Sequence, residues 1–257
     1  MAKKLKLYFD TALANDLAKK IVQVEPAFKS KAFVKTLNAE LDTHELKARV
    51  ELFADILYTY FDDYIHGLGA LMQILGPENE EETGMFTNFY WLMPMAKYVE
   101  KYGMKSFKPS MKAIEEITKR NTGEYAIRPY LDKYPTKTLK QMLKWSKSNN
   151  SHVRRLACEG VRPRLPWAAK LKMTVEDPDL ILPILENLKD DPSKYVQKSV
   201  ANCLNDILKD NPKFAKKQME AWNGKEVSKE RKWIIKHALR NLIKSNDAWA
   251  LRMLKMH

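Results

Sequence analysis

The chain has 257 residues, of which 45 are Lys or Arg and 32 Asp or Glu, a formal net charge of +13; 45% are hydrophobic, too many for a disordered chain. Eight glycines argue against a turn-dense all-β fold, and two isolated cysteines, Cys158 and Cys203, exclude a disulfide framework and a Cys-based zinc cluster. No run approaches 18 apolar residues, and the start Met-Ala-Lys-Lys-Leu-Lys-Leu-Tyr lacks the features of a signal peptide, so the expectation is a soluble, basic, cytoplasmic protein with no membrane segment.

In chain order, residues 1–75 read as helices with little internal repetition, suited to an N-terminal helical cap. Residues 76–257 read as repeats, the whole making one continuous domain. Gly67-x-Gly69 lacks the third glycine of a dinucleotide-binding turn, and no phosphate loop of the GxxxxGK[ST] type is present. Charge then separates sharply: residues 1–100 carry 11 cationic and 15 acidic side chains, residues 101–175 carry 18 and 5, and residues 176–257 carry 16 and 12. A segment so asymmetric suits a polyanion-binding face, because each phosphate contact needs a Lys or Arg; a solvated face is the plain alternative.

Further along, Leu180, Ile181, Ile184, Leu185 and Leu188 fall at helical spacing, as do Val196, Val200, Leu204, Ile207 and Leu208. Asp177-Pro178, Asp191-Pro192 and Asn211-Pro212 each place a capping side chain before a proline suited to a first helical position. The chain also resembles itself. His152–Cys158 aligns with Tyr195–Ala201 at an offset of 43, and Tyr195–Leu204 with Trp233–Leu242 at an offset of 38. Periods near 40, each a pair of helices, mark HEAT-type arrays. The predicted fold is therefore all-α, a right-handed α-solenoid of HEAT-like repeats, with the second helices, Arg154 and Arg155 among them, lining a concave face.

Five acids interrupt the basic segment. Glu115 and Glu116 are spaced to pair with Lys119 and Arg120, and Asp132 sits at a helix end beside Lys133. Glu124, opening the predicted helix Glu-Tyr-Ala-Ile-Arg-Pro-Tyr, and Glu159, one turn after Arg155, have local explanations too: a helix N-terminus and an ion pair. Yet carboxylates on a phosphate-binding face repel the ligand unless they act there, and stabilising a cationic transition state is such a task. Val161-Arg162-Pro163-Arg164-Leu165-Pro166-Trp167 combines stiffness, two cations and a flat apolar ring, which also suits a loop tryptophan capping the core. His44, His66, His152, His237 and His257 are scattered, with no metal-ligand spacing, and twelve methionines fit core filling.

At these residues the chain resembles the AlkC-type branch of the HEAT-like repeat DNA glycosylases. His-Val-Arg-Arg-Leu-Ala-Cys-Glu-Gly-Val-Arg-Pro-Arg-Leu-Pro-Trp (152–167), Glu-Tyr-Ala-Ile-Arg-Pro (124–129), Leu-Met-Pro-Met (92–95) and His-Glu-Leu-Lys-Ala-Arg-Val (44–50) carry the likeness. It implies excision of cationic alkylated bases from double-stranded DNA, chiefly 3-methyladenine with 3-methylcytosine a further candidate, without flipping the base. A carboxylate would stabilise the oxocarbenium-like sugar. Carried over by motif, Glu124 is the first candidate for that carboxylate and Glu159 the second, with Trp167 against the sugar. Tyr125, Arg128, Arg154, Arg155, Arg162, Arg164 and Lys170 are the DNA-contacting set. No cofactor or metal is implied, and a monomer is expected. Some AlkC proteins continue into an immunoglobulin-like domain, for which this sequence has no counterpart after its last helices. A non-catalytic HEAT-repeat protein binding damaged or branched DNA, and a protein-interaction scaffold, are the alternative readings.

Overall fold

Amphipathic spacing and repeated caps are realised as sixteen α-helices among the described residues of a computed structural model, which describes residues 4–82, 89–224 and 226–255; no strand occurs among them. His257 lies outside the described residues, as do the first three residues of the N-terminal stretch. The helices cluster into two compact units, residues 1–129 and 130–257. No helix among the described residues is long and apolar enough to cross a membrane.

The first unit holds α1 (Thr11–Val24), α2 (Ser30–Glu40), α3 (Leu46–Thr59), α4 (Tyr64–Gln73), α5 (Met93–Tyr102) and α6 (Phe107–Thr118). Asp10 caps α1 by accepting from the Leu13 amide. Helices α1 and α2 then close on each other, as do α3 and α5, burying Leu17, Ile21, Phe33, Leu37, Phe53 and Leu57 completely. Helices α5 and α6 pack with these helices, and the first unit ends at Pro129. The buried Arg49 guanidinium donates to the carbonyls of His44 (2.9 Å) and Phe9 (3.0 Å), tying the chain start to α3. Gly67 is needed for packing, not for a nucleotide: a Cβ there would collide with the Tyr98 hydroxyl and the Phe61 ring.

Helix α7 (Arg128–Lys133) carries the chain across the boundary. The second unit holds α8 (Pro135–Trp145), α9 (Ser151–Glu159), α10 (Lys172–Glu176), α11 (Leu182–Leu188), α12 (Lys194–Asp210), α13 (Pro212–Trp222), α14 (Lys229–Ala238), α15 (Arg240–Lys244) and α16 (Ala248–Lys255). Helices α8 and α9, α11 and α12, and α13 and α14 are successive pairs. Their second members stack α9 on α12 and α12 on α14, the packing of an α-solenoid. The internal alignment follows this order, with Leu156, Val196, Val200, Leu204, Ile234 and Ile235 buried along the seam. The third copy differs: α12 is continuous through the aligned stretch, whereas its counterpart Trp233–Leu242 breaks at Leu239 into α14 and α15. Of the three proline starts, only Asp177 caps through its side chain, on a short 3-10 helix. Pro212 opens α13 but Asn211 instead donates to the Val175 carbonyl, and α12 starts beyond Pro192, capped by Ser193.

His66 on α4 is bonded to Glu25 at 2.7 Å and lies 3.5 Å from Asp62. The Glu25 hydrogen bond, foremost, holds its pKa above the ordinary histidine value. A raised folded-state value means that this contribution is complete below the ordinary pKa and lost as pH rises through the raised one. Glu25→Gln should lower the His66 midpoint in an NMR titration toward the free-histidine value; an unmoved midpoint would remove Glu25 as its cause.

Candidate functional site

Glu124 belongs to the first unit, in the turn that follows α6. Asn121 starts it: its Nδ2 donates to the Phe89 carbonyl (2.9 Å) and its Oδ1 accepts from the Thr122 amide (2.8 Å). Thr122 Oγ1 then donates to Glu124 Oε2 at 3.0 Å and accepts from the Glu124 amide at 3.3 Å. Gly123 permits this course, since a Cβ there would lie 2.6 Å from Ile114 Cγ2 and 2.8 Å from Thr118 Oγ1. The result is a buried carboxylate whose rotamer is set by its neighbours. The expectation that Glu124 opens a helix needs correction: residues 124–127 form turns, and α7 starts at Arg128. Pro129 has no N–H to donate to the Tyr125 carbonyl, so the ladder cannot extend back to Glu124, and a helix dipole does not explain this acid. Tyr125 is half-buried and Arg128 buried.

In the second unit, Glu159 ends α9 inside a buried ionic node. Its Oε1 accepts from Arg162 Nη1 (2.6 Å), its Oε2 accepts from Ser199 Oγ (2.5 Å), and Arg155 Nη2 lies 3.6 Å from Oε1. Arg162 reaches onward to Asp206 Oδ2 at 2.9 Å. Burial pushes the Glu159 carboxyl up, but Arg155 and Arg162 outweigh it, so it titrates below the ordinary carboxylate value. Asp206 goes the other way: burial outweighs the single guanidinium beside it, Lys209 being 3.8 Å away. Glu159 therefore carries the firmer negative charge, and the node holds α9 to α12.

The other expected DNA contacts are also engaged within the protein. Arg154 grips Asp191 with two hydrogen bonds (2.6 and 3.1 Å), and Arg164 grips Asp210 likewise (2.8 and 2.6 Å). The Arg155 guanidinium lies 4.8 Å from the Tyr195 ring centroid. Lys170 is the exposed cation of the set, 3.8 Å from Asp210. Spacing could not reveal Ser199, Asp191, Asp206 and Asp210, which lie 37 to 46 residues from their partners. Thr122, two residues from Glu124, was within local reach, and its signal was the Asx/Thr-Gly turn.

Trp167 stands apart. Its loop is stiffened by Pro163 and Pro166 and closed by the Leu171 amide donating to the Pro163 carbonyl at 3.1 Å. The side chain is 58% exposed, and the backbone adopts φ +63°, a left-handed conformation uncommon for a bulky residue. Core packing cannot account for an exposed indole, so a core-capping role is not what the loop supports. A large ring held outward on a strained backbone is suited to lying against a flat or sugar-like surface. Among the described residues no cluster of His, Cys, Asp and Glu is disposed to hold a metal ion.

An all-helical repeat protein with an outward tryptophan and an organised set of arginines is thus what fold and site define. The family model for DNA alkylation repair enzymes matches residues 109–242, and the chain belongs to that family. It is 39% identical over 252 residues to protein YhaZ of Bacillus subtilis strain 168, spanning 97% of this chain and 67% of that one. Among solved structures it is similar to the alkylpurine DNA glycosylase AlkC of Pseudomonas fluorescens bound to DNA containing an abasic site analog. There the identity is 37% and the TM-score 0.89, covering 99% of this chain and 69% of that one.

Two stability measurements separate these residues. Glu159→Gln leaves two guanidiniums facing a neutral amide and should cost about 3 kcal/mol, lowering the thermal midpoint by about 6–12 °C. Trp167→Gly relieves the left-handed strain while losing partial ring burial, so its midpoint should stay within about 3 °C of wild type. A large fall would make the indole a packing element after all.

Proposed function

We propose that this chain is a DNA glycosylase that excises cationic alkylated bases from duplex DNA, chiefly 3-methyladenine, with 3-methylcytosine a second candidate. The observation that carries the reading is Trp167: an exposed indole on a strained backbone, in a member of the alkylation repair family. The likeness to a glycosylase bound to DNA with an abasic-site analog supports it, since an abasic sugar is what base excision leaves behind.

A 3-methylated adenine is already cationic. The N-glycosidic bond breaks with its electron pair going to the base, which departs neutral and needs no added proton. Positive charge then develops on the deoxyribose, and water adds to the sugar carbon and gives up a proton. A fixed carboxylate stabilises that charge, as in glycoside hydrolysis. Glu124 is proposed for this role, because Thr122 engages one of its oxygens and holds the group in one orientation. Glu159 is the second candidate, its carboxylate held by Arg162 and Ser199. Trp167 is proposed to lie against the sugar and exclude water, and its position on the surface suits an enzyme that leaves the base stacked instead of flipping it. Lys170 and Arg164 are proposed to touch phosphates, while Arg154, Arg155 and Arg162 shape that surface from within. Tyr125 and Arg128 of the first unit are proposed as further DNA-contacting residues. The enzyme is proposed to act as a monomer without a metal or cofactor.

Release of free methylated base from methylated duplex DNA, resolved by chromatography under single-turnover conditions, tests the reading. Wild type should release 3-methyladenine. Glu124→Gln, which keeps an acceptor for Thr122, should lose about 100-fold or more in rate with DNA affinity nearly intact, and Trp167→Ala should also lose excision. Undiminished release by Glu124→Gln would take that residue out of the mechanism. No release by wild type, with tight salt-sensitive DNA binding, would leave a DNA-binding protein without the chemistry.

A further inference from the structure

Three consecutive residues that follow α6 are tied to chain lying 32 to 44 residues before them. Arg120 Nε donates to the Gly76 carbonyl at 2.8 Å, the Lys119 carbonyl accepts from the Asn79 amide at 2.9 Å, and Asn121 Nδ2 donates to the Phe89 carbonyl at 2.9 Å. Lys119 Nζ adds an ion pair with Glu78 at 3.3 Å. Gly76, Asn79 and Phe89 all belong to the connection between α4 and α5. The turn that carries Glu124 is therefore clamped at its start by backbone from that connection.

One of these clamps continues toward the carboxylate. The Asn121 side chain works in two directions, Nδ2 donating to the Phe89 carbonyl and Oδ1 accepting from the Thr122 amide at 2.8 Å. A carbonyl only accepts and an N–H only donates, so a single orientation of the amide satisfies both partners. The Asn121 backbone is fixed as well, its amide donating to the Ile117 carbonyl at 2.9 Å. Thr122, set in place by that bond, donates its hydroxyl to Glu124 Oε2 at 3.0 Å. Asn121, Thr122 and Glu124 are all buried, so water is poorly placed to replace a bond lost among them. Nor can the turn relax toward α6. Gly123 already lies where a Cβ would strike Ile114 and Thr118, and Thr118 Oγ1 is itself engaged with the Ile114 carbonyl at 2.6 Å.

We infer that Asn121 and Thr122 are positioning residues for excision, Asn121 acting through Thr122. Together they lock the hydroxyl onto Glu124 and fix where its charge lies as the sugar becomes cationic. The inference rests on the reading of Glu124 as the stabilising carboxylate. A group that stabilises a developing charge must be held in place by neighbours whose own rotamers are locked. A misplacement of about 1 Å, caused by a change away from the reacting atoms, costs on the order of 100-fold in rate. Neither positioning residue is assigned a contact with base, sugar or phosphate, so their loss should slow the chemical step and leave DNA binding in place. The α4–α5 connection, through the Phe89 carbonyl, becomes part of the device that aims the carboxylate.

Single-turnover release of 3-methyladenine from methylated duplex DNA at saturating enzyme tests the inference, with anisotropy on an undamaged duplex beside it. Wild type is compared with N121A, T122V, T122S, E124Q and the doubles N121A/T122V and N121A/E124Q. N121A and T122V should each release base about 10- to 100-fold more slowly, with DNA affinity within about twofold of wild type. T122S keeps the hydroxyl and should return to within about threefold of the wild-type rate. N121A/T122V should be no slower than T122V, and N121A/E124Q no slower than E124Q, because losses along one path do not multiply. Thermal midpoints are read first, and if N121A unfolds, T122V against T122S decides the outcome. A wild-type rate in N121A or T122V, a T122S as slow as T122V, a multiplied loss in N121A/T122V, or a loss confined to DNA affinity would overturn the positioning role, while a slow E124Q upholds the carboxylate. A wild-type rate in E124Q would overturn that assignment and the inference with it.

Discussion

The buried contact between Glu159, Arg162 and Ser199 is the constraint on which the second unit depends. A helix pair of this kind has too little apolar surface to stand alone, so each repeat must be held in register on the next. Apolar seams along α9, α12 and α14 supply most of the attraction, but they tolerate sliding. The node does not: two short hydrogen bonds on opposite oxygens of one carboxylate, with Arg162 continuing to Asp206, allow one register. Removing one charge from such a set leaves another uncompensated in a poorly solvated place, which is why its members are far less replaceable than surface pairs.

The same economy of placement produces the outward tryptophan. Arg164 anchors its loop to Asp210, the Leu171 amide closes it on Pro163, and the two prolines remove backbone freedom. These restraints over-determine the backbone at Trp167, so a conformation that a free chain rarely visits is held in the folded protein. In the first unit a comparable device acts on a carboxylate: Gly123 permits a close approach to α6, and Thr122 grips the acid that follows. Both candidate groups are thus presented by short rigid segments braced on helices, which favours chemistry needing fixed charge and fixed contact rather than a closing lid.

Ion pairing also redistributes the electrostatic surface. An arginine bound to a carboxylate in the next repeat stiffens the array and contributes little net field, whereas an exposed lysine over a tryptophan ring keeps its charge available. The arginines that the sequence made most conspicuous, Arg154, Arg155, Arg162 and Arg164, are engaged with carboxylates inside the protein. Lys198 on α12 and Lys236 on α14, diluted among acids in the sequence, face outward, as do Lys137, Lys140, Lys170 and Lys172 of the basic segment.

Much was legible before the fold was known. Helical periodicity is a property of neighbours three and four residues apart, so Leu156, Val200 and Leu204 announced buried faces, and the offsets of 43 and 38 announced stacked pairs. The stretch 152–167 and its companions point to the alkylation repair family, to which the chain belongs. Locally decided features, such as the Arg155–Glu159 pair at one helical turn, were readable for the same reason. What only the tertiary structure decided lies beyond that reach. Asp191, Asp206, Asp210 and Ser199 meet their partners across about forty residues, because stacking brings one helix pair onto the next. Which arginines stay exposed, which carboxylate is enclosed, and that Trp167 turns outward all follow from that stacking, and no spacing along the chain encodes it.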